Sequence, residues 1–178
     1  MFTRLLRRDR EANVSRLYGT IVAQARAPSF YADFGVPDTV AGRFDMVALH
    51  VHLVVRRLNG GDANSRAAGQ ALLERFFEDL DGNLRELGIS DLSVPRQMRG
   101  LAEAFYGRVD RYDAALKERG EQALAAALLR NVFGGRDQAR AGAERLARYV
   151  RLAEAMLAAC VGERVAAGEF ALPHPEEA

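Results

Sequence analysis

The stretch DTVAGRFDMVALHVHLVVRRL, residues 38–58, decides the fold of this chain. Its apolar side chains recur at steps of three and four and form two faces of one helix, namely Phe44, Val47, Val51, Val54 and Leu58 on the first and Met46, Leu49 and Leu53 on the second. A helix that is apolar on two faces has to be covered on two faces. The stretch therefore predicts the central, buried helix of a bundle, near residues 39–58.

Both ends of this central helix are marked in the sequence. Asp38 and Thr39 are typical N-terminal caps. Arg56 and Arg57, followed by Asn-Gly-Gly, match the negative end of the helix dipole and then a C-terminal cap. Only the ten residues 46–55 lie uncharged between these ends, whereas a membrane-spanning helix needs about 20. We therefore expect a helix inside a soluble domain.

Composition places the chain among compact helical proteins. It has 178 residues, of which 49% are hydrophobic, and it has no Trp, which suits one domain with a substantial core. The net charge of +1 lacks the basic signature of a nucleic-acid-binding protein, so we expect no nucleic-acid partner. Cys160 is the only cysteine, which excludes an internal disulfide. All basic residues except Lys117 are arginine, and we interpret this mainly as codon bias.

Apolar periodicity predicts five further helices and no strand. They cover about residues 13–26, capped by Asn13, then 64–88, 93–120, 121–132 and a long last helix at 138–167. The connection at 27–39 carries the aromatic residues Phe30, Tyr31 and Phe34, which we expect to pack over the bundle or to form a sticky surface. The fold class is all-α, a single-domain bundle of about six helices spanning residues 11–168.

The two ends of the chain differ from this domain. Residues 1–10 form a basic amphipathic arm that we expect to rest on an anionic membrane surface through Phe2, Arg4, Leu5, Leu6, Arg7 and Arg8. A frayed chain end is the alternative. The arm has too few apolar residues before the next arginine to resemble a signal peptide. Residues 169–178 contain two prolines and end in acids, so we expect a loose tail.

The chain lacks the residue patterns of common catalytic and metal sites. His50 and His52 are two residues apart, which places them about 200° apart on a helix, so they cannot share one metal. We expect one of them to be a core histidine bonded to a backbone or carboxylate partner, with haem ligation by either as the alternative. Cys160 lies on an apolar seam and resembles a packed thiol. No Ser-His-Asp spacing, paired carboxylates or Gly-rich nucleotide motif occurs, so we expect neither catalysis, nor a metal, nor a cofactor.

Charged residues crowd two segments of the sequence. The first set flanks the aromatic connection and consists of Arg26, Asp38, Arg43 and Asp45. The second set follows residue 78 and consists of Asp79, Asp81, Arg85, Glu86 and Asp91, with Arg96, Arg99 and Arg108 further on. Such residues are compatible with a solvated face whose ion pairs contribute little. They are equally compatible with the charged border of a binding surface.

Four collinear blocks carry a resemblance to a known family. They are LYGTIVAQAR at 17–26, PSFYADFGVPDTVAGRFDMVALHVHLVVRRL at 28–58, FFEDLDGNLRELGISDLSVPRQMR at 76–99 and AFYGRVDRYDAAL at 104–116. Together they resemble the ubiquinol–cytochrome c chaperone family, whose members assist assembly of the cytochrome bc1 complex. The resemblance covers residues 17–116, over half of the chain.

The resemblance implies an all-α chaperone, not an enzyme, that binds newly made cytochrome b and guards it during haem insertion. It implies a cytoplasmic protein, peripheral on the inner face of a bacterial inner membrane. A second assembly factor works with mitochondrial relatives and is a further candidate partner. The alternatives are a haem-handling protein that uses His50 or His52 and an uncharacterised helical enzyme.

The resemblance also implies which residues bind the partner. Carried over by position, they are Tyr18, Arg26, Phe30, Tyr31, Arg43, Asp81, Arg85, Glu86, Asp91 and Arg108. Other matching positions are typical of structural roles: Asp38 and Thr39 as caps, Gly42 as a close-packing site and Gly88 as a left-handed helix terminus. Phe44 also matches.

Overall fold

A computed structural model describes residues 2–177 of the chain, with side chains from residue 11 onward. In this range the regular structure is entirely helical. The helices are α1 (Phe2–Ala25), α2 (Pro28–Ala32), α3 (Val40–Asn59), α4 (Ala63–Glu86), α5 (Val94–Lys117), α6 (Gln122–Asn131), α7 (Arg140–Ala159) and α8 (Gly162–Ala166), with 3-10 turns at Asp137–Ala139 and Pro175–Glu177. The all-α bundle of about six main helices is confirmed, since α2 and α8 have five residues each.

Helix α3 is the buried centre of the bundle. Helices α1, α4, α5 and α7 all pack against it, and most of its residues are buried. It begins where the sequence predicts, because the Thr39 hydroxyl accepts a hydrogen bond from the backbone N–H of Gly42 over 3.1 Å. None of the helices within residues 2–177 is both long and apolar enough to cross a membrane.

Helices α4 and α5 begin and end close to the predicted limits. Helix α4 runs through Gly82 without a break, and Gly88 follows it with φ of 81°, as expected of a left-handed terminus. Ser93 precedes α5, but its hydroxyl hydrogen-bonds to the Ser90 hydroxyl at 3.0 Å and makes no capping bond to the backbone. The positions of the helix ends are therefore predictable here, although the capping chemistry at Ser93 differs.

The connection between α1 and α3 packs on the bundle. Phe30 and Phe34 are buried, with stacked rings 5.4 Å apart. A Cβ atom at Gly42 would lie 2.0 Å from the carbonyl oxygen of Pro37, and one at Gly142 would lie 2.0 Å from that of Phe34. Both glycines therefore let the connecting backbone approach a helix closely. The close-packing role expected of Gly42 is confirmed.

The N-terminal limit of the first helix differs from the prediction. Helix α1 begins at Phe2, so Asn13 lies inside it and caps nothing. No Pro interrupts residues 2–25, and Leu and Arg favour helix, so the helix continues into the predicted arm. The expected membrane contacts of Phe2, Arg4, Leu5, Leu6, Arg7 and Arg8 concern side chains outside the described part of the chain.

The predicted long last helix is two helices. Helix α7 ends at Ala159, and Cys160 is extended, with ψ of 139°. Helix α8 then packs on α4, where a Cβ atom at Gly162 would lie 3.0 Å from the Ser65 hydroxyl. The apolar period continues through this break, so periodicity gives no sign of it.

The C-terminal tail is not loose over its described residues. Pro173 and Pro175 are buried. The Gln24 side-chain amide donates a hydrogen bond of 2.7 Å to the carbonyl oxygen of Pro173. The segment therefore packs against α1, and the expectation of a loose tail is wrong for these residues.

Arginines of one helix bind the C-terminal end of another. Arg57 of α3 donates to the carbonyl oxygens of Leu157 and Cys160 at 2.8 and 2.6 Å, at the end of α7. Arg151 of α7 donates in the same way at the end of α5, to the carbonyl oxygens of Ala115, Leu116, Glu118 and Gly120. The last carbonyl groups of a helix lack the N–H partners that the following turn would supply, and the arginine side chains donate to them instead or in addition. Codon bias is therefore an incomplete account of the arginine content.

Candidate functional site

An open groove of about 460 Å³ lies between α1, α3 and α4. It is formed near the C-terminal ends of α1 and α4 and the N-terminal end of α3. Its lining consists of Tyr18 and Val22 from α1 with Arg26 directly after it, Val40, Arg43, Phe44 and Val47 from α3, and Phe76, Asp79, Leu80, Asn83 and Glu86 from α4 with Leu87 directly after it. Four of the residues expected to bind a partner, Tyr18, Arg26, Arg43 and Glu86, therefore meet in one groove.

The groove presents apolar surface to solvent. Val22, Phe44, Val47 and Leu80 are only partly buried. At its border Val40 is 74% exposed and Leu87 is 66% exposed, and these are two of the five most exposed large apolar side chains in the described part of the chain. Concentrated apolar exposure of this kind marks a binding surface.

Tyr18 fixes α1 to α4 at the inner end of the groove. Its hydroxyl donates a hydrogen bond of 2.9 Å to Oδ2 of Asp79, and the guanidinium of Arg75 lies 5.6 Å from its ring centroid. Burial, together with the neighbouring Asp79 carboxylate, raises the pKa of Tyr18. Tyr18 is itself buried, so it shapes the groove and offers little surface to a partner.

The charges at the border of the groove are only partly paired. Arg43 binds Asp38 at 2.6 Å, which lowers the pKa of that carboxyl group. Arg26 on α1 and Glu86 on α4 are exposed, and neither has an ion-pair or side-chain hydrogen-bond partner among the described residues. Among the residues with described side chains, the groove therefore carries one unpaired cation on its α1 side and one unpaired anion on its α4 side.

Asp81, Arg85 and Asp91 lie apart from the groove. At 100° per residue, positions 81 and 85 of α4 face away from positions 79, 83 and 86. Arg85 binds Asp81 at 2.6 Å and also pairs with Asp91. These side chains are largely exposed, so their ion pairs contribute about 0–1 kcal/mol each.

The structure places Phe30 in the core. It is fully buried, with its ring 4.8 Å from that of Tyr149 and 5.6 Å from that of His50. A side chain without exposed surface cannot contact a partner, so the expectation for Phe30 is wrong. Its neighbour Tyr31 is half-buried and donates a hydrogen bond of 2.8 Å to the carbonyl oxygen of Ala25.

Arg108 supports the groove from α5. Its guanidinium binds Asp45 at 2.7 Å and lies 5.7 Å from the ring centroid of Phe44. Asp45 is only 6% exposed, and burial raises the pKa of Asp45 to about 6, although Arg108 opposes the change. Arg108 therefore positions Phe44, a lining residue, and is mostly withdrawn from solvent itself.

Both helical histidines are buried in the core, where the sequence predicts one. Nδ1 of His50 lies 2.7 Å from the carbonyl oxygen of Met46, so Nδ1 carries the proton and Nε2 accepts from the Tyr149 hydroxyl at 2.8 Å. Burial lowers the pKa of His50 and of His52 to about 4. With both of its ring nitrogens bonded, His50 has none left for haem iron. No group of three or more candidate metal-binding side chains occurs within the described residues.

A larger groove of about 520 Å³ lies between α6 and α7. Its lining is rich in charged side chains, including Glu121, Asp137, Arg140 and Glu144, and Arg140 is already paired with Asp137 at 2.8 Å. It contains none of the residues expected to bind a partner. The groove at α1, α3 and α4 is therefore the better candidate.

Sequence reasoning missed the apolar part of the groove. The apolar period of residues 38–58 places Phe44 and Val47 on a face that it expects to be covered. Val40 and Leu87 received no role. The apolar face that holds Phe44 and Val47 is the available signal, but periodicity does not tell which apolar side chains of a face stay uncovered.

The sequence model of the ubiquinol-cytochrome C chaperone family matches residues 32–172. This chain belongs to that family of all-α proteins. The α1 side of the groove precedes the matched residues. The crystal structure of the Cbp3 homolog from Brucella abortus has the same fold, with a TM-score of 0.89 and 42% sequence identity over 99% of both chains.

Two curated relatives are named as assembly factors. Ubiquinol-cytochrome-c reductase complex assembly factor 1 of Xenopus laevis is 26% identical over 136 residues, which are 76% of this chain and 68% of the frog protein. The protein with the corresponding name in Drosophila melanogaster is 29% identical over 146 residues, 79% of this chain and 56% of the fly protein. The chain thus spans about two thirds or less of these relatives.

Proposed function

We propose that this protein is an assembly chaperone of the ubiquinol–cytochrome c reductase complex and that its client is newly synthesised cytochrome b. Family membership and the names of the frog and fly relatives support the link to this complex. The observation that carries the proposal is the apolar groove with exposed Val40 and Leu87 at its border. The role is binding, with no catalytic step.

The groove suits a client made of apolar helices. Before assembly such a client exposes surface that aggregates in water, and an apolar groove covers part of that surface in a helix-in-groove manner. Arg26, Arg43 and Glu86 form a polar border, which is the usual plan of a protein interface. We propose that the client is held in this way while haem is inserted, and that the chaperone itself binds no haem.

We place the protein at the inner face of the bacterial inner membrane, where its client is made. Support comes from the basic amphipathic sequence at residues 1–10, because an arm of this kind binds an anionic surface weakly and reversibly. A second assembly factor is a further candidate partner.

The test is a pull-down from membranes solubilised in mild detergent, with the full chain as bait and cytochrome b, with and without haem, as the analyte. Wild-type protein should capture mainly immature cytochrome b. Val40→Glu and Leu87→Glu place a charge on exposed apolar positions, so they should fold normally and reduce capture about tenfold. Val161→Glu is the matched control, since Val161 is 61% exposed and does not line the groove.

Two results would contradict the proposal. Capture of only the mature complex would indicate an accessory subunit instead of a chaperone. Equal capture by the Leu87→Glu variant and the Val161→Glu control would show that the client binds elsewhere.

A further inference from the structure

The groove is too short for a whole membrane-spanning helix. Its lining extends from Tyr18 to Arg26 on α1 and from Asp79 to Leu87 on α4, and each span is about 12 Å long at a rise of 1.5 Å per residue. A helix that crosses the hydrocarbon core measures about 30 Å. About two helical turns of a client fit the groove.

The two free charges lie on different sides of this short groove. Arg26 is at the end of α1 and Glu86 is at the end of α4, and both are exposed without an ion-pair partner in the described part of the chain. The other charged lining residues are occupied, since Arg43 binds Asp38 and Asp79 accepts from Tyr18. The groove is therefore electrically asymmetric across its width, positive on the α1 side and negative on the α4 side.

We propose that the groove binds a two-turn amphipathic helix of the client in one direction only, with an acidic side chain facing Arg26 and a basic side chain facing Glu86. This inference rests on the proposed function. The segment is the end of a client helix, where apolar residues give way to charged ones, and not the apolar middle of a transmembrane helix.

The direction follows from geometry. A helix whose apolar stripe faces the groove has two flanks, one beside α1 and one beside α4. Turning the helix end to end exchanges these flanks, so the acid then faces Glu86 and the base faces Arg26. Like charges placed opposite each other disfavour the reversed pose. The groove thus discriminates by charge, while its apolar lining supplies most of the affinity.

The test uses two stapled helical peptides of about 12 residues, because unstapled helices of this length are marginal in water. Both carry apolar residues at positions i, i+3, i+4 and i+7. One peptide has Glu along the first flank and Lys along the second, and the other peptide has the flanks exchanged. Binding to the full chain is measured by fluorescence anisotropy at low and high salt. We expect one peptide to bind about three- to tenfold more tightly, with the difference shrinking at high salt.

Exchanging the charges at positions 26 and 86 tests whether Arg26 and Glu86 cause the preference for one peptide. The Arg26→Glu/Glu86→Arg double variant should prefer the other peptide. Arg119→Glu/Glu163→Arg is the matched control, since both residues are exposed and lie outside the groove, and it should keep the wild-type preference. A preference that survives the Arg26/Glu86 exchange, or equal binding of both peptides, overturns the inference.

This outcome is separable from that of the proposed function. If neither peptide binds while the wild type captures cytochrome b and the Leu87→Glu variant does not, the groove holds the client in another form and the two-turn helix is wrong. If the peptide preference reverses as expected but cytochrome b is never captured, the inference about the groove stands and the proposed client is wrong.

Discussion

The hydroxyl group of Tyr149 donates a hydrogen bond to Nε2 of His50 over 2.8 Å, joining α7 to the central helix α3. The Tyr149 hydroxyl also accepts from the Gln24 side-chain amide of α1 at 3.1 Å. Nδ1 of His50 donates to the carbonyl oxygen of Met46 and Nε2 accepts, so the ring is neutral. Both ring nitrogens and the Tyr149 hydroxyl therefore have hydrogen-bond partners. These hydrogen bonds fix the positions of α1, α3 and α7 relative to one another, although the three helices are distant in sequence.

Tyr149→Phe should lower the free energy of unfolding by about 1–3 kcal/mol, because it leaves Nε2 of His50 buried without a partner. The measurement is urea denaturation at pH 7. Tyr106→Phe is the control, since Tyr106 is 51% exposed, and its change should stay within about 0.5 kcal/mol. Equal values for the two variants would show that the His50 bond contributes nothing.

The free energy of unfolding should decrease as the pH is lowered below about 6.5. His50 and His52 have pKa values lowered to about 4 in the folded state, so below pH 6.5 the unfolded chain binds more protons and is favoured. The pKa of Asp45 is raised to about 6, so below pH 6 the folded state gains a proton here and offsets one histidine.

Asp45→Asn removes this offset. Considering these three groups alone, the wild type should lose about 1.4 kcal/mol per pH unit between pH 6 and pH 4, and the variant about twice as much. Urea denaturation at pH 6, 5 and 4 gives both slopes, and the other carboxyl groups cancel in the difference. Identical slopes would mean that Asp45 does not take up a proton in this range.

Gly42→Ala and Gly142→Ala should each destabilise the protein by about 1–3 kcal/mol, because the new methyl group meets a backbone carbonyl oxygen that cannot simply rotate away. Gly82→Ala is the contrasting control. A Cβ atom at Gly82 meets nothing within 4 Å, and the position is helical, so alanine should stabilise by about 0.5–1 kcal/mol. Thermal unfolding of the three variants tests this, and a destabilised Gly82→Ala variant would contradict it.

Arg151→Lys should destabilise the protein by about 1–2 kcal/mol. An ammonium group cannot reproduce the fork of donors that reaches four carbonyl oxygens at the end of α5. Arg119→Lys keeps the charge at an exposed residue between Glu118 and Gly120 and should leave the free energy of unfolding unchanged. If both variants unfold at the same denaturant concentration, Arg151 acts only through its charge.

The features that the sequence predicts best are those with a local cause. The limits of α3 follow from Thr39 and from the apolar period, because a cap and a helix face both involve residues within a few positions. The break at Cys160 has a distant cause, since Arg57 of α3 and the packing of α8 on α4 hold it. Periodicity carries no information about such contacts.

The same distinction applies to the groove. The family resemblance predicts Arg26, Arg43 and Glu86 as partner-binding residues, and the three line one groove. Phe30 and Leu87 show what a single sequence leaves open. Both are large apolar residues, yet Phe30 is fully buried against His50 of α3 and Tyr149 of α7, while Leu87 is 66% exposed. Which apolar residues stay exposed depends on the tertiary packing, and binding depends on that choice.

The arginines that bind the ends of α5 and α7 also bear on how the bundle opens. A helix that is capped by its own neighbours in sequence can fray one turn at a time. The last turns of α5 and α7 are held instead by Arg151 and Arg57, whose own positions depend on the packed bundle. Amide hydrogens in these turns should therefore exchange with solvent only through global unfolding, with the free energy of global unfolding, as in a bundle that opens as a single cooperative unit.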